Sequence, residues 1–150
     1  MIIAKNQLAH SILSESNIEK KYLALVEGEL KGEGEINAKI DREDNSIIKR
    51  CVRDSGKEAI TKYKVIKNYK DYTLVELTLL TGRTHQIRVH MAYIGHPLLG
   101  DGIYNLKNPV GVLEDGRKIE RQALHASHLK FEHPILKKEI EIDSKPDFID

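Results

Sequence analysis

Tryptophan is absent from the sequence and cysteine nearly so, with Cys51 alone among 150 residues. A single cysteine excludes an intrachain disulfide and a thiolate zinc cluster, and makes a reducing cytosol the expected compartment. No run of ~18 apolar residues occurs, which excludes a membrane-spanning helix. The opening residues Met1, Ile2, Ile3, Ala4 and Lys5 lack a basic lead and a cleavage signal, so a secretory leader is not expected. Charge of one sign is scarce overall, the formal net charge being +1. Its distribution is uneven. Between Lys49 and Lys70 the bases Lys49, Arg50, Arg53, Lys57, Lys62, Lys64, Lys67 and Lys70 meet only Asp54 and Glu58. Beyond Lys138 the balance turns acidic, with Glu139, Glu141, Asp143, Asp147 and Asp150. A basic stretch of this kind either attracts a phosphate backbone or forms a solvated strand face.

What is present suits a single globular domain: 40% hydrophobic and 31% charged residues in a chain long enough to bury a core. No internal repeat, low-complexity segment or interdomain linker is visible. Leu8, Ile12 and Leu13 recur at helical spacing between Asn6 and Ser16, with Asn6 as the cap. Strands are expected over Lys21 to Glu27, Ile36 to Ile40, Ile47 to Val52, Ala59 to Lys67 and Tyr72 to Leu80, with a turn from Glu29 to Gly34. Gly82 then breaks the chain. Thr84 is placed to cap a helix reaching Ile94, with Ile87, Met91 and Ile94 as its apolar stripe and Gly95 ending it. His96 to Tyr104 reads as a loop, and Leu129 to Glu132 with Glu139 to Ile142 as a hairpin around His133-Pro134. Many short strands with two or three helices predict an α+β fold built on a mixed, mostly antiparallel sheet.

Chemistry concentrates where strand, turn and helix meet, at Thr81-Gly82-Arg83-Thr84-His85-Gln86-Ile87-Arg88-Val89-His90. A helix N-terminus favours anions, and Arg83 and Arg88 add guanidinium forks suited to phosphate or carboxylate. A capped helix with solvated arginines fits the same spacing.

The stretch Gly82 to His90, followed by Gly95-His96-Pro97-Leu98-Leu99-Gly100-Asp101 and Tyr104, resembles the signature of RluA-type pseudouridine synthases. So do Lys20-Lys21-Tyr22-Leu23-Ala24-Leu25-Val26-Glu27-Gly28, Ala59-Ile60-Thr61-Lys62-Tyr63, and Leu124-His125-Ala126 leading to Leu129-Lys130-Phe131-Glu132-His133-Pro134. These matches run in family order along nearly the whole chain. The resemblance implies isomerisation of uridine to pseudouridine in ribosomal or transfer RNA, without cofactor or metal. In that chemistry an aspartate attacks the flipped-out nucleotide, the glycosidic bond breaks, and the uracil is rejoined through carbon 5. Tyr22 matches the tyrosine that lies against the base, a candidate also for proton removal at carbon 5. Arg88 matches the arginine that pairs with the catalytic aspartate. Arg83, Thr84, His85 and Gln86 fall in the surrounding RNA-binding shell, Leu124 near the base pocket, and Lys62, Lys64 and Lys67 on a phosphate-binding surface.

The sequence departs from the family at its start. The R-L-D-x-x-T-S-G loop that carries the nucleophile occurs nowhere in these residues, and Asp101 is expected to be structural. Residues 1–150 are therefore expected to form one incomplete catalytic domain, inactive alone, marginally stable or self-associating through an exposed sheet edge. Two rivals remain: a non-catalytic RNA-binding module, and a metal hydrolase built on His85, His90, His96, His125 or His128. The second lacks a recognised ligand spacing.

Overall fold

The computed structural model describes residues 19–132 and 137–148. The helix expected over Asn6 to Ser16 and the hairpin tip at His133-Pro134 lie outside the described residues. The strands are β1 (Glu19–Glu27), β2 (Glu33–Asn37), β3 (Ile40–Arg42), β4 (Arg50–Val52), β5 (Ile60–Asn68), β6 (Tyr72–Leu79), β7 (Gly111–Val112), β8 (Lys118–Ile119), β9 (Leu124–Glu132) and β10 (Glu139–Asp143). Among the described residues one helix, α1 (Gln86–Tyr93), follows β6. Six strands form an antiparallel sheet in the order β10-β9-β1-β6-β5-β2, while β3–β4 and β7–β8 are separate two-stranded ribbons. The α+β reading with an antiparallel sheet holds.

Strand alternation sorts the core into two layers. Tyr22, Ala24 and Val26 of β1 and Val75, Leu77 and Leu79 of β6 share one face, packed with Ile87 and Met91 of α1 and with Leu98. Leu23 and Leu25 look the other way, onto Leu74, Leu99, Leu113 and Ala123. Cover on both faces explains why the centre of β1 reads as an unbroken apolar run. Leu25, Leu77, Met91 and Leu98 are almost wholly buried, and each such side chain contributes about 1.5–3 kcal/mol.

Several boundaries differ from the sequence reading. Ile36 to Ile40 is divided, Ile36 lying in β2 and Ile40 opening β3. Ile47 and Ile48 lie in the β3–β4 loop rather than in a strand. The β7–β8 ribbon went unread. At α1, the cap is His85, in a left-handed conformation (φ 56°) without a side-chain capping bond, and Thr84 is an exposed turn residue. At the other end Gly95 (φ +90°) closes a Schellman turn, with His96 N donating to Met91 O (2.9 Å) and Gly95 N to Ala92 O (3.0 Å).

Candidate active site

Gln86 builds the turn that launches α1. Its Oε1 accepts from Thr81 Oγ1 (2.7 Å) and Arg83 N (3.0 Å), and its Nε2 donates to Ile60 O and Thr61 Oγ1 (both 2.9 Å). All four hydrogen-bonding positions of the amide are thus filled by protein, and the residue is buried. Gln86 is accordingly a staple between β5 and α1, with no polar atom left for RNA. Thr61 continues the network to His90 Nδ1 (2.8 Å), while His90 Nε2 meets Ala38 O (2.8 Å). A carbonyl only accepts, so Nε2 carries the imidazole proton and Nδ1 accepts the Thr61 hydroxyl. Burial lowers the His90 pKa and keeps the ring neutral.

One turn into α1, Arg88 forks onto Asp101. Nε donates to Oδ2 and Nη2 to Oδ1, both at 2.8 Å. The arginine side chain is 10% exposed and the aspartate not at all. Asp101 Oδ1 also accepts from Ile103 N (3.0 Å) and Tyr104 N (3.1 Å). Burial alone would raise the Asp101 pKa, but Arg88 and the two amides outweigh it and hold the carboxyl below its ordinary range. A buried carboxylate with this many donors is poorly placed for nucleophilic attack, in agreement with the structural role expected of it. Gly100 (φ +75°) lets the segment from Ile119 to Arg121 pack against this loop: a Cβ there would stand 2.2 Å from Arg121 O.

Tyr104 connects this pair to its surroundings. The Arg88 guanidinium lies over its ring at 5.1 Å. Its hydroxyl accepts Arg50 N–H (2.9 Å) from β4 and lies 2.7 Å from His85 Nδ1. Burial, then the Arg88 and Arg50 cations, lower the His85 pKa. Tyr104 entered the sequence reading only as a motif letter, although its fixed distance behind Gly100-Asp101 was the available signal.

Tyr22 and Leu124 both pack on the sheet face that carries α1, Leu124 beside Ala24. Tyr22 is half-buried, and burial raises its phenol pKa, so it is protonated at neutral pH. Lys62 and Lys64 go elsewhere. They alternate with Tyr63 and Val65, which face α1, and so project from the opposite face. There Lys62 stands between Glu35 and Thr78, and Lys64 between Glu33 and Glu76. Lys67, past a register shift, lies over the Tyr69 ring at 4.8 Å. Pairing with β2 and β6 thus balances the charge of a run that is basic in sequence.

A basic cleft does form, on the α1 side of the β3–β4 ribbon. It is lined by Ile40, Asp41, Arg42, Arg50, Lys57, Gly82, Arg83 and Thr84. Arg83 is held there by Nε donating to Glu58 O (2.7 Å). The histidines of the metal rival are dispersed: His85, His90, His96 and His125 bond separately to Tyr104, Thr61 with Ala38, Glu27 and Ser144. Among the described residues, His128, Glu141 and Asp143 alone bring potential ligand atoms together, within 4.8 Å, and the His128–Asp143 bond of 2.6 Å already occupies Nδ1.

Comparison with known proteins agrees with this architecture. The family profile described as RNA pseudouridylate synthase matches residues 1–93. An uncharacterized RNA pseudouridine synthase, YjbO of Bacillus subtilis, is 45% identical over 90% of this chain and 47% of its own length. Ribosomal large subunit pseudouridine synthase D of Vibrio vulnificus is 40% identical over 94% of this chain and 46% of its own. The chain thus spans about half the length of these curated relatives. Human RNA pseudouridylate synthase domain containing 1 superposes with a TM-score of 0.74 at 29% identity, over 94% of this chain and 60% of the human one. With its sheet, its helix and its ordered motifs in agreement, this chain belongs to the RNA pseudouridylate synthase family.

Proposed function

We propose that residues 1–150 supply the base-binding face, the orienting arginine and a phosphate-binding cleft for isomerisation of uridine to pseudouridine in RNA. The observation that carries this reading is the Arg88–Asp101 fork. It uses Nε and Nη2 and leaves Nη1 without a hydrogen bond among the described residues. A nucleophilic carboxylate meeting Nη1 would be kept ionised by the arginine charge and aimed by its geometry. That carboxylate is not one of this chain's motif aspartates, so the chain alone is expected to be inactive.

In the reaction the carboxylate attacks the nucleotide, the bond between uracil N1 and the ribose breaks, and the ring turns. A bond from C5 to C1′ then forms as the carboxylate is released, N1 takes up a proton, and the C5 proton is lost to solvent. Tyr22 packs against the uracil as a phenol and Leu124 borders it. Arg42, Arg50, Lys57 and Arg83 hold phosphates, in place of Lys62, Lys64 and Lys67. The name of the Vibrio relative favours ribosomal over transfer RNA as substrate.

The test is tritium release from RNA labelled at uracil C5, using the chain alone and the chain joined to a segment bearing the aspartate loop. Release only by the joined protein supports the reading, and release by the chain alone overturns it. A non-catalytic RNA-binding module is favoured by one observation, the basic residues that line the cleft all lying outside the Arg88–Asp101 pair. Silence of the joined protein, with salt-dependent RNA binding retained, would select that module.

A further inference from the structure

Ile47 and Ile48 are 85% and 59% exposed, side by side at the tip of the β3–β4 ribbon. Exposed apolar residues scattered singly need no explanation, but these two are adjacent and displayed by an ordered loop. Glu43 N donates to Lys49 O (3.0 Å), Ser46 N to Glu43 O (3.2 Å) and Lys49 N to Ser46 Oγ (2.9 Å), with Asn45 left-handed (φ 62°) between. Ion pairs Lys49–Glu43 (3.4 Å) and Arg53–Asp44 (3.1 Å) flank the tip. At the base of the ribbon Ile40 and Val52 pack with Val89 of α1 and with Tyr104. The Tyr104 hydroxyl receives Arg50 N–H while its ring carries Arg88. The base of the ribbon is therefore tied to the arginine through one tyrosine, and Arg50, two residues past Ile48, lines the basic cleft and donates back to Ile47 O (3.5 Å).

We propose that Ile47 and Ile48 form a wedge that enters the base stack of RNA held in the cleft and opens the step next to the target uridine. The occupant follows from the juxtaposition: a cationic cleft calls for a polyanion, and a paired apolar tip beside it calls for flat apolar surface. Stacked bases supply both on one ligand. The inference rests on the RNA reading above and adds to it the device that unstacks the base.

The experiment uses this chain and an RNA stem-loop with 2-aminopurine beside a loop uridine, titrated at several salt concentrations. The variant is Ile47→Ser with Ile48→Ser, which alters exposed side chains only. Ile47→Leu with Ile48→Leu is the conservative control. Expected for the wild type are salt-dependent binding and a rise in 2-aminopurine emission as the base unstacks. The serine pair should bind roughly tenfold more weakly, since apolar burial is lost. Its salt slope should be unchanged, because the cations remain. At saturation its emission should stay at the level of free RNA, and the leucine pair should restore the rise. Equal emission and affinity in the serine pair would overturn the wedge while leaving RNA binding intact. Failure of the wild type to bind RNA would overturn the RNA reading and the wedge together. A wild-type dimer that the serine pair converts to monomer, without RNA unstacking, would make the tip a contact between copies and overturn the proposal.

Discussion

Asp101 accepts from both forks of Arg88 and from the Ile103 and Tyr104 amides, a geometry that orients the arginine and leaves the carboxylate engaged. Removing its charge as Asp101→Asn leaves the nearly buried Arg88 guanidinium without a counter-ion, a change that costs about 3–5 kcal/mol in such pairs. Urea unfolding should show that loss, and a change under 1 kcal/mol would mean that water already satisfies Arg88. The pH dependence follows from the direction of the shifts. Asp101 has a lowered pKa, so its stabilisation is present above its ordinary value of 3.8 and is lost as pH falls through the folded value. His90, also lowered, resists a proton that the unfolded chain accepts below its ordinary value of 6.5. Stability should therefore fall from pH 7 to pH 5, His90 contributing up to about 1.4 kcal/mol per unit. In His90→Gln that slope should flatten, and an unchanged slope would place the titration elsewhere. The pairing of Asp101 with Arg88 was not legible in the sequence, while the structural role of Asp101 was legible from its loop motif. The inward turn of Gln86 was not, because a polar residue at a helix start serves ligand or backbone equally well.

At the scale of elements, the ribbon and the loop from Leu98 to Tyr104 behave as one assembly through Tyr104. Tyr104→Phe keeps the ring under Arg88 but removes the acceptor of Arg50 N–H. Amide exchange at Arg50 should accelerate about tenfold, the equivalent of one net hydrogen bond. Unchanged exchange would show that packing of Ile40, Val52 and Val89 alone holds the ribbon. Gly100→Ala should destabilise by about 3 kcal/mol or more, since it combines a left-handed backbone with a Cβ pressed on the Arg121 carbonyl. A small thermal shift would contradict that crowding. Strands β1, β5 and β6 were legible because each is long and rich in apolar, β-branched and aromatic residues. Ile47 and Ile48 were mistaken for strand because β-branched residues carry the same propensity in an exposed loop. The cap was misplaced at Thr84 because the Gln86 side chain holds the turn, accepting from Thr81 and from Arg83 N and donating to β5.

For the whole molecule, charge placement in space overrides charge placement along the chain. The basic run from Lys49 to Lys70 divides: Lys62 and Lys64 meet Glu33, Glu35 and Glu76 across the sheet, while Arg50 and Lys57 join Arg42 and Arg83 in the cleft. A one-dimensional count cannot foresee which strands become neighbours. Both sheet edges carry acids, Glu33 and Glu35 on β2 and Glu139, Glu141 and Asp143 on β10. Like charges on strands that end the sheet among the described residues oppose edge-to-edge pairing. Self-association through an edge should accordingly be weak at low salt and strengthen as salt screens the carboxylates. Sedimentation showing the reverse trend would assign association to another surface. The central claim is that the Asp101-oriented guanidinium of Arg88 serves the nucleophile through Nη1. Its most direct measurement is tritium release by the joined protein carrying Arg88→Lys, which keeps the charge but cannot fork. A loss of at least about 100-fold in kcat, with RNA affinity unchanged, is the expected result. Activity within threefold of the wild type would contradict the claim.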